Sequence, residues 1–122
     1  MGAKLKRRVL VCGGRNFTDE TFVRSSLDSV RHHFETLFLG IEGGARCVDT
    51  FAKRWFHDQG VPHVTLDANW GYYGLSAGNL RNEWMRVFLS PDIVIAFPGG
   101  PGTANMVAIA KRAKIDVWQP VK

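Results

Sequence analysis

The chain has 122 residues, of which 45% are hydrophobic and 22% are charged, and this composition predicts one globular domain over residues 1–122. No apolar run approaches the roughly 20 residues that a membrane-spanning helix needs, and the basic start of the chain lacks the apolar segment of a signal peptide, so we expect a cytoplasmic protein without a membrane partner. The formal net charge of +5 is concentrated in Lys4, Lys6, Arg7 and Arg8, and the nearly neutral remainder makes a nucleic-acid partner possible but disfavoured.

Short apolar runs alternate with helical periodicities along the whole chain. Five strands are predicted, at about 9–12, 37–41, 62–66, 93–97 and 115–118. Four helices are predicted between them, at about 19–34, 48–60, 78–89 and 103–113, and residues 67–77 are expected to be irregular. This alternation predicts an α/β fold in which a parallel sheet of about five strands has helices on both faces. Because ligands of such sheets bind beyond the carboxyl ends of the strands, four glycine-containing segments should converge on one rim: residues 13–15, 43–46, 69–79 and 98–103.

The segment at 92–106 is the most informative, because an apolar strand enters a glycine-rich turn and then a helix. Glycines let the backbone approach a ligand, and the amides at the start of a helix favour an anion. A triphosphate-binding P-loop needs a lysine before Thr103, where Gly102 stands, and the first strand is not followed by the G-x-G-x-x-G of a dinucleotide dehydrogenase. The turn therefore predicts a site for a monophosphate or a diphosphate sugar, and the alternative is a tight turn with a purely structural role.

Four segments together resemble the signature blocks of one family. They are CGGRNFTDE at 12–20, IEGGARCVDTFAKRWF at 41–56, DANWGYYGLSAGNLRNEWM at 67–85 and IAFPGGPGTANM at 95–106. In this order they are similar to the YspA, cpYpsA-related branch of the SLOG superfamily, which is named for the DNA-processing protein DprA and for the Lonely Guy nucleoside-monophosphate phosphoribohydrolases. The resemblance implies a Rossmann-like three-layer fold and recognition of nucleotides or nucleotide-derived ligands.

The chain departs from the phosphoribohydrolases at a catalytic position. Their PGGxGTxxE motif ends in a glutamate of the catalytic apparatus, and Met106 stands at that position here. Their R-K-x-x-M segment is matched at Arg81, while Asn82 replaces the lysine. A thioether can neither stabilise an oxocarbenium-like state nor activate water, so the question of catalysis stays open, with Arg81, Glu83 and Asp49 as the candidate catalytic residues.

The candidate ligand-binding residues lie in the same four segments. They are Gly13, Gly14, Arg15, Gly44, Ala45, Asp49, Trp70, Gly78, Arg81, Asn82, Pro98, Gly99, Gly100, Gly102 and Thr103. We expect the amides of Gly99, Gly100, Gly102 and Thr103 to hold phosphate with the help of Arg81, because guanidinium pairs well with phosphate oxygens.

Several of these candidates have a second interpretation. Arg15 and Arg46 either extend the phosphate clamp or only add surface charge. Asp49 either accepts hydrogen bonds from ribose or only interacts with the dipole of its helix. Asn82 either contacts the ligand or fixes a loop. Trp70, with the tyrosines that follow it, either stacks on a base or buries a protein interface.

The sequence thus favours a protein that senses or sequesters a nucleotide-derived phosphate and needs no cofactor. A metal site is not predicted, because the four histidines lack ligand spacing. Three alternatives remain: a phosphoribohydrolase that acts on nucleoside 5′-monophosphates, a single-stranded DNA-binding module of the DprA type, and a scaffold with a vestigial pocket. A homodimer is expected, because the superfamily often pairs through its helices and these helices are rich in aromatic residues.

Overall fold

Residues 7–34 and 36–122 are described by a computed structural model, which forms five strands and five helices. The strands are β1 (Arg7–Cys12), β2 (Leu37–Glu42), β3 (His63–Thr65), β4 (Ile93–Ala96) and β5 (Asp116–Trp118). The helices are α1 (Glu20–His33), α2 (Val48–Asp58), α3 (Trp70–Tyr73), α4 (Ala77–Leu89) and α5 (Pro101–Arg112), and a 3₁₀ turn at Gly74–Ser76 joins α3 to α4. Two members of the predicted basic cluster, Lys4 and Lys6, lie outside the described residues.

The five strands form one parallel sheet in the order β3-β2-β1-β4-β5. The chain builds the sheet outward from β1 to β3 and then returns to place β4 against the other side of β1. The strand order therefore reverses between β1 and β4, and in open α/β sheets this reversal opens a crevice at the carboxyl ends of the two strands. The predicted α/β, Rossmann-like fold with a five-stranded parallel sheet is confirmed.

Each face of the sheet has its own hydrophobic core, because side chains of a strand alternate between faces. Val9 and Val11 of β1 pack against α1 and α2, where Trp55 and Phe56 are fully buried. Leu10, between them, packs on the opposite face with residues of α4 and α5. The helices thus cover both faces, as predicted, and the sheet is the middle of three layers. No helix among the described residues has the length and apolar character needed to cross a membrane.

The structure corrects two predicted boundaries. The segment at 67–77, predicted to be irregular, contains α3, and the side chain of Asn69 caps this helix by accepting a hydrogen bond from the Tyr72 amide at 3.1 Å. Helix α5 begins at Pro101, two residues before the predicted start. Proline suits the first turn of a helix because it lacks only an N–H that the helix does not use. Since the helix starts at Pro101, the glycine turn before it is shorter than expected.

Candidate functional site

A cavity of about 370 Å³ opens at the carboxyl ends of β1 and β4, where the strand order reverses. We call it the rim cavity. Residues of the four glycine-containing segments line it together with residues of β1, α2, α4 and the loop after β1: Val11, Cys12, Gly13, Gly14, Arg15, Asn16, Gly43, Ala45, Asp49, Trp70, Gly78, Arg81, Asn82, Met85, Gly100, Pro101, Gly102 and Thr103. The segments that the sequence places at strand ends therefore meet at one site.

Most of the candidate ligand-binding residues line the rim cavity, and three do not. Gly44 lies in an adjoining cavity of about 410 Å³, which shares Arg15 and Arg81 with the rim cavity. Pro98 and Gly99 line a separate groove next to α5. Cys12, Asn16 and Met85 also line the rim cavity and were not among the candidates, although the position of Cys12 at the end of β1 pointed there.

Two of the glycines join the turns that follow β1 and β4. The amide of Gly14 donates to the carbonyl of Pro98 at 2.8 Å. A β-carbon on Gly14 would lie 2.8 Å from that carbonyl oxygen, and one on Gly99 would lie 2.7 Å from the Gly14 amide nitrogen. Both distances are shorter than van der Waals contact, so the absence of side chains is what lets the two turns touch and close this side of the cavity.

Two helix N-termini open into the rim cavity without a side-chain cap. Helices α1 and α3 are capped by Asp19 and Asn69. In contrast, within the described chain neither Ser76 before α4 nor Gly100 before α5 makes a capping bond, and neither helix has an acidic residue in its first turn. Residues of both first turns, Gly78 among them, line the cavity. The Ala77 amide at the start of α4 donates to the Gly74 carbonyl of the 3₁₀ turn, but no side chain neutralises either helix end, so the positive ends of two helix dipoles border the same space.

Arg81 supplies a fixed positive charge at this border. Its Nη1 donates to the carbonyl of Gly43 at 2.5 Å and to that of Leu66 at 3.4 Å, and its Nε donates to Asn82 Oδ1 at 2.9 Å. Burial lowers the pKa of the guanidinium, while Asp49 acts in the opposite direction, and an arginine still stays protonated. Within the described residues Nη2 has no acceptor, so this nitrogen of the guanidinium group can pair with a ligand.

Asn82 connects α4 to the start of α5. It is buried, and its Nδ2 donates to the Gly102 carbonyl and to Asn105 Oδ1, both at 3.0 Å, while its Oδ1 accepts from Arg81. These three bonds use most of the hydrogen-bonding capacity of one amide side chain. Of the two interpretations of Asn82, the geometry favours the one in which it fixes the loop and orients Arg81.

Two buried carboxylates lie beneath the cavity. Asp49 lines it, is 5% exposed and accepts a hydrogen bond from the Ala45 amide at 3.1 Å. Burial raises the pKa of Asp49 from an ordinary 3.8 to about 6, and the negative charge of Glu42 adds to this rise, while the amide of Ala45 and the charge of Arg81 oppose it. Glu42 is fully buried and accepts hydrogen bonds from the Gly44 amide at 2.6 Å and from the Thr65 hydroxyl.

We expect Asp49→Asn to change how stability depends on pH. Because the pKa of Asp49 is about 6 when folded and 3.8 ordinarily, the folded protein holds a proton that the unfolded chain has lost in this range. The wild type therefore loses stability as pH rises from about 4 to 6, by at most about 3 kcal/mol, and asparagine removes this loss. Urea unfolding at pH 4.5 and 7.5 measures it. Asp58→Asn is the control, because the exposed Asp58 has its pKa lowered by Arg24; equal pH profiles for wild type and Asp49→Asn would contradict the argument.

Arg15 and Arg46 play different parts at the rim. The guanidinium of Arg46 donates to the Arg15 carbonyl at 3.0 Å and to Asn16 Oδ1 at 3.1 Å, so it ties the loop after β2 to the loop after β1. The guanidinium of Arg15 lies over the Trp70 ring, 5.2 Å from its centre, and both side chains line the rim cavity. Arg15 and Trp70 thus face the site, whereas Arg46 shapes it.

The two tyrosines after Trp70 lie elsewhere. Tyr72 contacts Tyr73 at a ring distance of 4.6 Å, and Tyr73 contacts Trp84 at 5.6 Å, so these aromatic rings continue onto α4. Neither tyrosine lines the rim cavity. Of the three aromatic residues in this segment, only Trp70 is placed to contact a ligand there.

Two positions on which the hydrolysis alternative depends do not line the cavity. Glu83 forms an ion pair with Arg86 on the surface of α4 and does not line the cavity. Met106 is fully buried in the core between the sheet and α5, among Leu10, Ile41 and Met85. Of the candidate catalytic residues, the structure places Arg81 and Asp49 at the site and leaves Glu83 outside it. Within the described part of the chain, no three side chains of the types that bind metals come together.

Two comparisons with known proteins cover the segments that line the rim cavity. The model of the YspA, cpYpsA-related SLOG family matches residues 7–73, which include the turns after β1 and β2, Asp49 and Trp70. The Gene 61 protein of Mycobacterium phage D29 is 36% identical over 119 residues, and the match covers 91% of this chain and 94% of that protein. The second match extends through Arg81 and the turn after β4, beyond the range of the family model.

Proposed function

Because the chain belongs to the YspA, cpYpsA-related SLOG family, we propose that it binds a nucleotide or nucleotide-derived phosphate in the rim cavity and so senses or sequesters it. Membership of the family supports a nucleotide-related binding or processing function. The observation that carries the proposal is the pair of uncapped N-termini, of α4 and α5, beside the charge of Arg81. Such an arrangement favours an anion over any neutral ligand.

In this proposal the phosphate lies at the start of α5. The amides of Gly102 and Thr103 donate to its oxygens, and Nη2 of Arg81 pairs with it from the opposite side. Pro101 has no N–H and only shapes the turn. Gly99 contributes indirectly, since its contact with Gly14 holds the turn in place.

The rest of the ligand extends toward Asp49 and Trp70. Asp49 is buried at the cavity wall, where a carboxylate can accept hydrogen bonds from ribose hydroxyls. Trp70 is about half exposed at the mouth and offers a ring face for a base, once Arg15 moves from it toward the phosphate. A volume of about 370 Å³ is near the lower end for small-molecule sites, which favours a mononucleotide over a dinucleotide.

We expect AMP to raise the melting temperature of the protein and adenosine to have little effect, because only AMP has the phosphate. At a concentration of about 100 times Kd, the gain is about 2.7 kcal/mol, which corresponds to a rise of roughly 10 °C for a domain of this size. Differential scanning calorimetry with AMP, adenosine and inorganic phosphate measures it. If no member of a broad nucleotide panel stabilises the protein, the proposed function is wrong.

One observation favours a second function, nucleotide hydrolysis. Asp49 lies in the cavity with its pKa raised to about 6, a value suited to a general base near neutral pH. A phosphoribohydrolase with Asp49 as base would release free adenine from AMP, and Asp49→Asn would stop this release. Chromatography of the AMP mixtures tests this alternative, and absence of adenine after long incubation removes it.

The DNA-binding alternative gains no support. Arg7 lies over the ring of Phe34, at 5.1 Å, and Arg8 donates to the Leu89 carbonyl at 3.1 Å. Both side chains are therefore engaged with the fold, and the phosphate backbone of DNA would have to displace them.

The cytoplasm is the proposed location of the protein, and the free thiols of Cys12 and Cys47 support it, since reduced cysteines are typical there.

We also propose that the protein forms a homodimer through the outer flank of α4. Leu80, Trp84, Val87 and Phe88 recur at helical spacing there, and Val87 and Phe88 are 47% and 71% exposed. A contiguous apolar flank of this kind is typical of interfaces. Phe88→Glu should convert dimer to monomer in sedimentation velocity, while Val121→Glu, at an exposed apolar residue elsewhere, should not. A wild type that sediments as a monomer contradicts this part of the proposal alone.

A further inference from the structure

A second cavity, of about 550 Å³, lies between α5 and the segment that follows β5. We call it the α5 groove. Of the described residues that line it, only Thr103 also lines the rim cavity. The glycine turn at 98–103 thus forms a wall of both spaces, so a molecule in the groove would lie directly behind the proposed phosphate site.

The floor of the groove is apolar. Phe97 and Ala96, at the end of β4, and Val107 of α5 form it, and all three are at least nine-tenths buried. Ala104 and Ala108 face it from α5 with only methyl groups, which keeps the groove open along the helix. A space of this size with an apolar floor can bury most of an aromatic ring or a branched chain.

The far wall is held in place by contacts outside the groove. Gln119, Pro120 and Val121 form this wall. The next residue, Lys122, pairs with Asp19 at the start of α1 and lies 5.8 Å from the centre of the Phe22 ring. One wall of the groove is thus α5, and the other is the segment at 119–121, which the contacts of Lys122 attach to the start of α1.

The polar groups of the groove define the charge of its ligand. Lys111 lies in the last turn of α5, and in the described structure its ammonium makes no ion pair or hydrogen bond. Among the described residues that line the groove, Lys111 is the only charged one, and Thr103 and Gln119 add neutral polar side chains. One cation and few other donors suit a single carboxylate.

We propose that the α5 groove is a second ligand site, which binds a small carboxylate with an apolar body. The body lies on Phe97 and Val107, and the carboxylate pairs with Lys111. Because the turn at 98–103 separates the groove from the rim cavity, this ligand is placed to modulate what the rim cavity binds. This second site is inferred from the shape and charge of the groove and does not depend on the proposed function.

Titration of the ¹⁵N-labelled protein with phenylacetate, followed by NMR, tests the proposal. We expect saturable shifts of the amides of Ala104, Val107 and Lys111 with a Kd on the order of 1 mM, as for a ligand of about ten heavy atoms. Phenylacetamide, which has no charge, should bind about fivefold more weakly. Lys111→Gln should lose the preference for the acid, whereas Lys53→Gln, on the opposite face of the sheet, should keep it.

Ala108→Phe provides the second variant, because its ring fills the groove and the exposed position tolerates it. We expect it to abolish the shifts while the rest of the spectrum stays that of the folded protein. Shifts that increase linearly without saturation, an equal response to phenylacetamide, or binding that survives Ala108→Phe would each overturn the proposal. None of these outcomes decides whether AMP binds in the rim cavity, so the two proposals fail separately.

Discussion

Arg81→Ala is expected to weaken the binding of AMP by roughly 30- to 1,000-fold. Removing one partner of a desolvated charge pair costs about 2 to 4 kcal/mol, and Arg81 is the most buried cation at the rim cavity. Its guanidinium is also fixed by the carbonyls of Gly43 and Leu66, so little entropy is lost when it pairs with phosphate. Isothermal titration calorimetry measures the change.

The variants around Arg81 separate charge from geometry. Arg112→Ala removes the same charge from the exposed last turn of α5 and should leave the affinity nearly unchanged. Arg81→Lys keeps the charge but not the planar fork, so an intermediate loss is expected. Gly43→Ala keeps every charge and places a methyl group against the Arg81 guanidinium, which must then move. It should weaken AMP binding although no ligand contact is removed.

These variants must be compared at equal extents of folding, since Arg81 also has a structural part. Loss of its side chain leaves the carbonyls of Gly43 and Leu66 without this donor, and a melting curve of each variant without ligand records that cost. If folded Arg81→Ala binds AMP as tightly as the wild type does, the phosphate does not lie between α5 and Arg81, and the proposed mode of binding is wrong.

The sheet and the convergence of its turns could be predicted because both depend on local patterns. Apolar strands, each followed by glycines, occur at 9–14, 37–44 and 93–100, and in a parallel sheet the ends of such strands must lie on one rim. The short helix α3 could not be predicted in the same way. Its four residues lie among glycines and aromatic residues, and the cap by Asn69 and the ring contacts of Trp70 with Arg15 and of Tyr73 with Trp84 help to stabilise it.

The site residues that sequence reasoning missed or misplaced depend on contacts between distant segments. Glu42 ends an apolar strand and is fully buried, where it accepts hydrogen bonds from the Thr65 hydroxyl and the Gly44 amide. Gly99 was expected to bind phosphate, but it lines the α5 groove because its backbone packs against Gly14. Such contacts are set by the fold and leave no periodicity in the sequence.

Glu83 is a candidate catalytic residue that its position around the axis of α4 keeps out of the site. It follows Asn82 in the sequence, but successive residues of a helix are about 100° apart around its axis. Asn82 and Met85 lie on the inner face of α4, so Glu83 points toward solvent and pairs with Arg86. The sequence predicted the helix correctly, and the exact rotation of α4 was decided by its packing on the sheet and α5.

Met106→Glu is expected to destabilise the protein by about 3 to 5 kcal/mol and to leave it unable to release adenine from AMP. Met106 is fully buried among Leu10, Ile41 and Met85, where a carboxylate would have neither water nor a partner. The pKa of the new glutamate should therefore be raised by burial. Its penalty is then largest above neutral pH and shrinks as the pH falls and the carboxyl becomes protonated.

Urea unfolding at pH 5 and pH 8 tests this prediction, with Met106→Leu as the control of similar volume, for which less than about 1.5 kcal/mol is expected. In the phosphoribohydrolases the PGGxGTxxE glutamate takes part in catalysis, whereas here the same position has become part of the core beneath the site. A stable Met106→Glu variant that releases adenine would mean that the side chain at 106 does reach the cavity and that the cavity can support hydrolysis.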